Sequence, residues 1–252
     1  MNNQTPLHTY CLRLGDNALI QSYRLSEWCS NGPILEEDLA LTNFALDMTG
    51  RADLLLAYAA TLEGKGQTSD SLAYRRPEKE YLNCLIHELP DEDFAFTMVR
   101  LMLTSAYDML LYSALEKSQN ENLAAIAAKA IKETRYHFAH AAGWVERLGD
   151  GTAESNRRTM QALTMLWPYT GEMFETDSAE QQLAADGIIP DITSLKEPWM
   201  EKVAQVLKSA TLEIPALKTW QTGGRTGRHT ENLGHILCEM QYLQRAYPDA
   251  TW

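Results

Sequence analysis

The chain has 252 residues, 45% of them hydrophobic, which is enough to bury a substantial core, and a single domain over residues 1–252 is expected. A formal charge of −12 excludes nucleic acid as a general partner, because neutralising phosphates needs a basic face. Cys11, Cys29, Cys84 and Cys238 stand singly without a Cys-x-x-Cys pair, no apolar run nears the ~20 residues of a membrane span, and the start lacks a leader pattern; free thiols and a cytoplasmic, non-membrane protein are expected.

In chain order, residues 9–30 carry a helical pattern (Leu12, Leu19, Ile20, Tyr23, Glu27) that stops at the breaker Asn31-Gly32-Pro33. Residues 36–63 predict a second helix, acidic at its start and closed by Gly64, with an inward stripe of Ala40, Asn43, Asp47, Gly50, Leu54 and Ala57. Residues 64–71 are turn-rich and lead into a basic cluster around Arg75, Arg76 and Lys79. A short helix or turn follows over residues 81–88. Residues 91–116 predict a long apolar helix with Phe94, Met98, Leu101, Ser105, Asp108, Leu111 and Leu115 on one stripe.

Asn120 caps a fourth helix, which stops at Gly149-Asp150-Gly151. Its stripe of Ile126, Ala130, Glu133, His137, His140, Trp144 and Leu148 puts a carboxylate and two imidazoles where apolar groups belong. Burying an unpaired charge is costly, so such a seam needs partners on facing helices. Shorter helices are expected over residues 153–166, 178–185, 198–212 and 230–245, with no strand pattern. The expected fold is all-α: an antiparallel helical bundle over about residues 9–149, with additional shorter C-terminal helices over about 150–252.

The mid-seam acids in chain order are Glu27, Asp47, Asp108 and Glu133, which is the order of carboxylates in ferritin-like di-metal bundles. Those sites take a Glu from each of two helices and a Glu-x-x-His pair from each of the others, since i and i+3 project together. Here the pairs are Asp47-Met48-Thr49-Gly50 and Glu133-Thr134-Arg135-Tyr136, so Gly50 and Tyr136 stand where imidazoles are required. His137 comes one residue late, a rotation of ~100° about the helix axis. Asp at two positions also shortens the reach by a methylene. The expectation is a metal-free seam whose acids pair with His137, His140 or a base such as Arg51, with no catalytic residue in this chain. Taken singly, Glu27 and Asp108 read as residues of solvated faces and His140 as an ordinary core histidine; it is the four acids in order that point to the bundle.

At these residues the chain resembles a known family, the non-catalytic ferritin-like subunit of the bacterial multicomponent phenylacetyl-CoA epoxidase of aerobic phenylacetate degradation. The resemblance runs through Leu41-Thr42-Asn43-Phe44-Ala45-Leu46-Asp47-Met48-Thr49-Gly50-Arg51 and through Lys132-Glu133-Thr134-Arg135-Tyr136-His137 with Trp144. It continues from Gly224-Arg225-Thr226-Gly227-Arg228-His229-Thr230-Glu231 through Glu239-Met240-Gln241 to Pro248-Asp249-Ala250-Thr251-Trp252. It implies a catalytic partner subunit with an intact di-iron site, which epoxidises the ring of phenylacetyl-CoA using O2 and electrons from a separate NADPH-dependent reductase. Further subunits, two-fold repetition of the pair and no cofactor in this chain are implied with it. This chain is then the structural companion, a rigid surface on which the catalytic helices pack.

A companion beside an active-site mouth can hold the nucleotide end of coenzyme A. The first candidate is Arg76, Pro77, Glu78 and Lys79, a stiffened basic loop suited to phosphate oxygens, for which a plain solvated loop is the alternative. The second is Asp177, Ser178 and Ala179, where a helix begins; Asp177 itself repels phosphate and is expected to cap. The run Gly223-Gly224-Arg225-Thr226-Gly227-Arg228-His229 lacks the Gly-x-x-x-x-Gly-Lys-Ser/Thr pattern and a preceding strand, so it is expected to be an interface or packing loop, with Trp252 as an anchor beyond it. Two other functions stay open: an autonomous ferritin-like di-metal oxidase using Glu27, Asp47, Asp108, Glu133 and His137, and a helical scaffold with no small-molecule role.

Overall fold

Ten α-helices and no strand occur among the residues that this computed structural model describes, 5–216, 219–248 and 250, which is the expected all-α class. The chain divides into two compact units, one of Met1–Pro90 with Thr222–Trp252 and one of Asp91–Gln221. Each is built on an antiparallel pair of long helices, the hairpin from which ferritin-like folds are made.

In the first unit, helix α1 (Pro6–Ser26) starts at Thr5, whose side chain accepts a hydrogen bond from the His8 amide at 3.2 Å, with Pro6 in the first turn. Helix α2 (Leu35–Glu63) opens on Glu36, Glu37 and Asp38, where the helix dipole favours negative charge, and ends at Gly64. After the turn at residues 27–34, α2 runs back along α1. They pack closely at Gly15, where a Cβ would stand 2.8 Å from Leu56 Cδ2.

The buried face of α2 is Leu41, Phe44, Ala45, Met48, Arg51, Ala52, Leu55 and Leu56. This corrects the expected stripe: Asn43, Leu54 and Ala57 lie on the surface, and the core face is one residue further on. The helix is apolar on two sides, so periodicity alone could not say which side packs. Leu35, Leu39 and Leu46 stay 70%, 55% and 64% exposed.

Helix α3 (Ser69–Tyr74) lies where only turns were expected. The same Thr68 and Ser71 that read as turn residues make a reciprocal capping box. The segment expected as a short helix or turn, residues 81–88, holds one 3₁₀ turn, Leu85–His87, and another, Glu78–Glu80, precedes it. The four cysteines are free thiols, and burial pushes the Cys11 thiol up to about 12.

In the second unit, helix α4 (Phe94–Leu115) is capped by Asp93, which accepts from the Phe96 amide at 2.8 Å. Contrary to the sequence expectation, α4 is long and apolar enough to cross a membrane, but 78% of that stretch is buried within the protein, as in a core helix. Asp93→Ala is expected to cost about 1 kcal/mol. The check is a lower urea midpoint at unchanged denaturant slope.

Helix α5 (Glu121–Gly149) begins at Asn120, whose side chain accepts from the Leu123 amide at 3.0 Å. It runs antiparallel to α4, with Phe94 and Trp144 edge to face at 5.1 Å. Its core face is Leu123, Ala127, Ala130, Ile131, Thr134, His137, Ala141, Ala142 and Val145. The expected seam is therefore corrected too: of that stripe only Ala130 and His137 are buried, while Glu133, His140 and Trp144 are half-buried. Alanine lets α5 approach α4 closely but adds little hydrophobic signal, so the neighbouring stripe of larger side chains looked like the inner one.

Helix α6 (Ala153–Leu166) leads through a 3₁₀ stretch, Trp167–Phe174, to helix α7 (Ser178–Ala185). Helix α8 (Lys196–Ser209) sends Trp199 into the core, where its indole N–H donates to the Leu103 carbonyl of α4 at 2.9 Å. The first unit closes with helices α9 (Glu231–Met240) and α10 (Tyr242–Ala246). One helix was expected there. The break falls at Gln241, which turns its side chain inward to donate to the Tyr81 hydroxyl at 2.7 Å and the Arg76 carbonyl at 2.9 Å.

Candidate functional site

The degenerate di-metal positions are distributed over both units. In the first, Glu27 is the exposed C-cap of α1 and pairs with Arg24 at 2.9 Å, so it is a surface residue and not part of a buried seam. Asp47 and Gly50 are half-buried on α2. In the second unit, Asp108 on α4 and Glu133 on α5 are half-buried, and His137 is fully buried. Tyr136 is 61% exposed and lies against His140 with ring centroids 6.2 Å apart. Within each unit, among the described residues, no three His, Cys, Asp or Glu side chains gather to hold a metal ion. A carboxylate on a helix cap, a glycine and a surface phenol do not fit the donor set of a di-iron centre, which needs two imidazoles.

The basic loop is organised from inside. Arg76, expected as a phosphate ligand, is buried with all three guanidinium nitrogens committed: two meet the Asp16 carboxylate, the third donates to the Leu72 carbonyl, and one also reaches the Glu80 carbonyl at 2.8 Å. The guanidinium lies 4.3 Å over the Tyr81 ring, and Asp16 further accepts from the Leu82 amide at 2.8 Å. Arg76 therefore anchors the loop. Pro77, Glu78 and Lys79 form its exposed outer side, with Arg75 beside them donating to the Pro248 carbonyl at 3.0 Å. An open cavity of about 710 Å³ lies next to Arg75, lined by Gly66, Thr68, Ser71, Tyr74 and Tyr247.

The glycine-rich run, expected as an interface or packing loop, packs onto this same loop. A Cβ at Gly224 would stand 2.1 Å from the Asn83 carbonyl oxygen, and one at Gly227 would stand 2.2 Å from that of Lys79. Both positions admit only hydrogen, so the run lies flat on residues 79–84. His229 closes the contact: Nδ1 is 3.1 Å from Glu88 Oε2, and Nε2 is 2.8 Å from the Tyr81 carbonyl oxygen. The other Glu88 oxygen accepts from the Thr230 amide at 2.8 Å, and the Glu88 carbonyl accepts from Arg24 at 2.7 and 3.2 Å. Burial opposes charge on His229, yet the hydrogen bond and charge of Glu88, with the Tyr81 carbonyl, hold its pKa above the ordinary value of 6.5. Asp16, Glu88 and His229 escaped sequence reasoning. The one available signal was a histidine directly after the glycine run.

Asp177 is the expected cap: it accepts from the Glu180 amide at 2.9 Å, with Ser178 and Ala179 in the first turn of α7. Trp252 lies outside the described residues.

A family model described as "Phenylacetic acid catabolic protein" matches residues 1–252. A curated relative, the C subunit of the 1,2-phenylacetyl-CoA epoxidase of Escherichia coli (strain K12), is 45% identical over 246 residues, covering 98% of this chain and 99% of that protein.

Proposed function

Since this chain belongs to the phenylacetic acid catabolic protein family, we propose that it is the structural, non-catalytic and metal-free subunit of a multicomponent monooxygenase that epoxidises the ring of phenylacetyl-CoA. The observation that carries this reading is the pair of vacancies in the ligand pattern. Gly50 and Tyr136 replace the two imidazoles, and Glu27 sits exposed on a helix cap, in a chain whose relative is a subunit of an epoxidase. The exposed Leu35, Leu39 and Leu46 support a chain that meets a partner, because an exposed apolar stripe on a helix is a common docking feature.

The partner is a related ferritin-like subunit that holds the di-iron centre, supplied with electrons by a separate NADPH-dependent reductase, and the complex works in the cytoplasm. This chain contributes rigidity and a hold on the coenzyme A moiety through the outer side of the basic loop, where Lys79 and Arg75 are the exposed cations. Purification with and without the catalytic subunit, followed by iron analysis, size measurement and oxygen uptake, tests this. The chain alone is expected to hold no stoichiometric iron and to consume no oxygen, while the pair is expected to co-purify and turn over phenylacetyl-CoA with the reductase. Stoichiometric iron and oxygen uptake by the chain alone would favour the autonomous oxidase.

A further inference from the structure

We propose that His229 is the positioning residue of the basic loop: an imidazolium that donates from both ring nitrogens, pins residues 78–88, and so holds Lys79 where it meets the phosphates of the coenzyme A ester. This rests on the reading that the loop's outer side takes the nucleotide end of that ester.

The protonation state follows from the partners. The Tyr81 carbonyl can only accept, so Nε2 carries a proton; at Nδ1 the Glu88 carboxylate is also an acceptor, and its second oxygen is already taken by the Thr230 amide. A neutral ring can make only one of those two bonds as a donor. Neither the His229 nor the Glu88 side chain is exposed, so water does not replace the lost bond. The route from His229 to Lys79 is short. Gly227 rests on the Lys79 carbonyl and Gly224 on that of Asn83, while His229 fastens the same run to Tyr81 and Glu88. A segment held at both ends loses less freedom when an anion binds.

The charged groups around the imidazolium are Glu88, which directly follows the 3₁₀ turn Leu85–His87, Glu78 on the preceding turn, and Arg24 of α1, which holds the Glu88 backbone. The two carboxylates favour the charged ring. Because the folded pKa of His229 is raised, the brace is complete below the unfolded value and is lost as pH rises through the folded one. Ester affinity is therefore expected to fall on the alkaline side.

The test uses the complex with its catalytic subunit, titrated calorimetrically with phenylacetyl-CoA from pH about 6 to about 9, a span that starts near the ordinary histidine value and extends above it. Single variants His229→Gln and Lys79→Glu are compared with the double variant. His229→Gln is expected to weaken binding about tenfold at the low end and to flatten the alkaline fall. Lys79→Glu weakens it to a similar extent, and the double variant loses no more than the worse single one, because both changes act through one loop.

Lys79→Glu without effect overturns the loop's role in ester binding, and the brace's role with it. An effect of Lys79→Glu but none of His229→Gln, or strictly additive losses, overturns the brace alone. Should His229→Gln fail to fold, hydrogen exchange of the unmodified complex decides: residues 78–88 lose protection as pH rises through the histidine titration, and unchanged protection there sinks the proposal.

Discussion

Asp16→Ala is expected to destabilise the protein by about 3–5 kcal/mol, the usual cost of stranding one partner of a buried ion pair. Asp16 has no exposed surface, and its carboxylate receives Arg76 together with the Leu82 amide at 2.8 Å. Alanine leaves a guanidinium without its counter-charge and an amide without its acceptor. Because the pair is sealed from solvent, added salt should recover little of the loss, unlike the case of a surface pair. Removing both partners, as Asp16→Ala with Arg76→Met, is expected to cost less than Asp16→Ala alone, since no unpaired charge remains. Equilibrium urea unfolding of both variants beside the unmodified protein checks this; an Asp16→Ala loss below about 1 kcal/mol, the value typical of exposed pairs, would contradict the buried anchor.

Trp199→Ala should cost a similar amount, about 3–5 kcal/mol, for a cavity the surrounding side chains cannot close. Trp199 stands edge-on to Phe174 at 5.2 Å and tilted against Trp167 at 5.7 Å, and Phe174 in turn meets Tyr107 of α4 at 5.4 Å. Trp199→Phe keeps most of that packing and gives up the bond to the Leu103 carbonyl, an expected loss of about 1 kcal/mol. The contrast separates shape from hydrogen bonding. Trp199 also holds the 3₁₀ stretch Trp167–Phe174, which delivers the chain to the Asp177 cap, so the alanine variant should lose near-ultraviolet circular dichroism and amide protection at residues 167–180 together.

Helix ends were legible in the sequence because the caps are local: Asn120, Asp177 and Gly64 each act within a few residues of where they stand. The missing imidazoles were legible for the same reason, since a ligand pair at i and i+3 is a local pattern. Which face packs was not, as α2 and α5 show. Both inner faces lie beside a stripe that is equally apolar or carries larger side chains, and only the opposing helix decides between them. The inward turn of Arg76 was hidden because its partner is Asp16, 60 residues earlier. His229 meets Glu88 across 141 residues, a pairing that no window along the chain contains.

The same separation orders the protein's assembly on the ribosome. Asp91–Gln221 emerges as an uninterrupted stretch and has every residue of its unit before Thr222 is made, whereas the unit containing Met1–Pro90 must wait for Thr222 onward. Until residues 223–230 arrive, Glu88 has no imidazolium and no Thr230 amide, and the peptide planes of residues 79–84 lack their glycine cover. A nascent chain halted at residue 221 would therefore carry a finished second unit and a loosely closed first one, and residues 223–230 act as the latch on the unit made before Asp91.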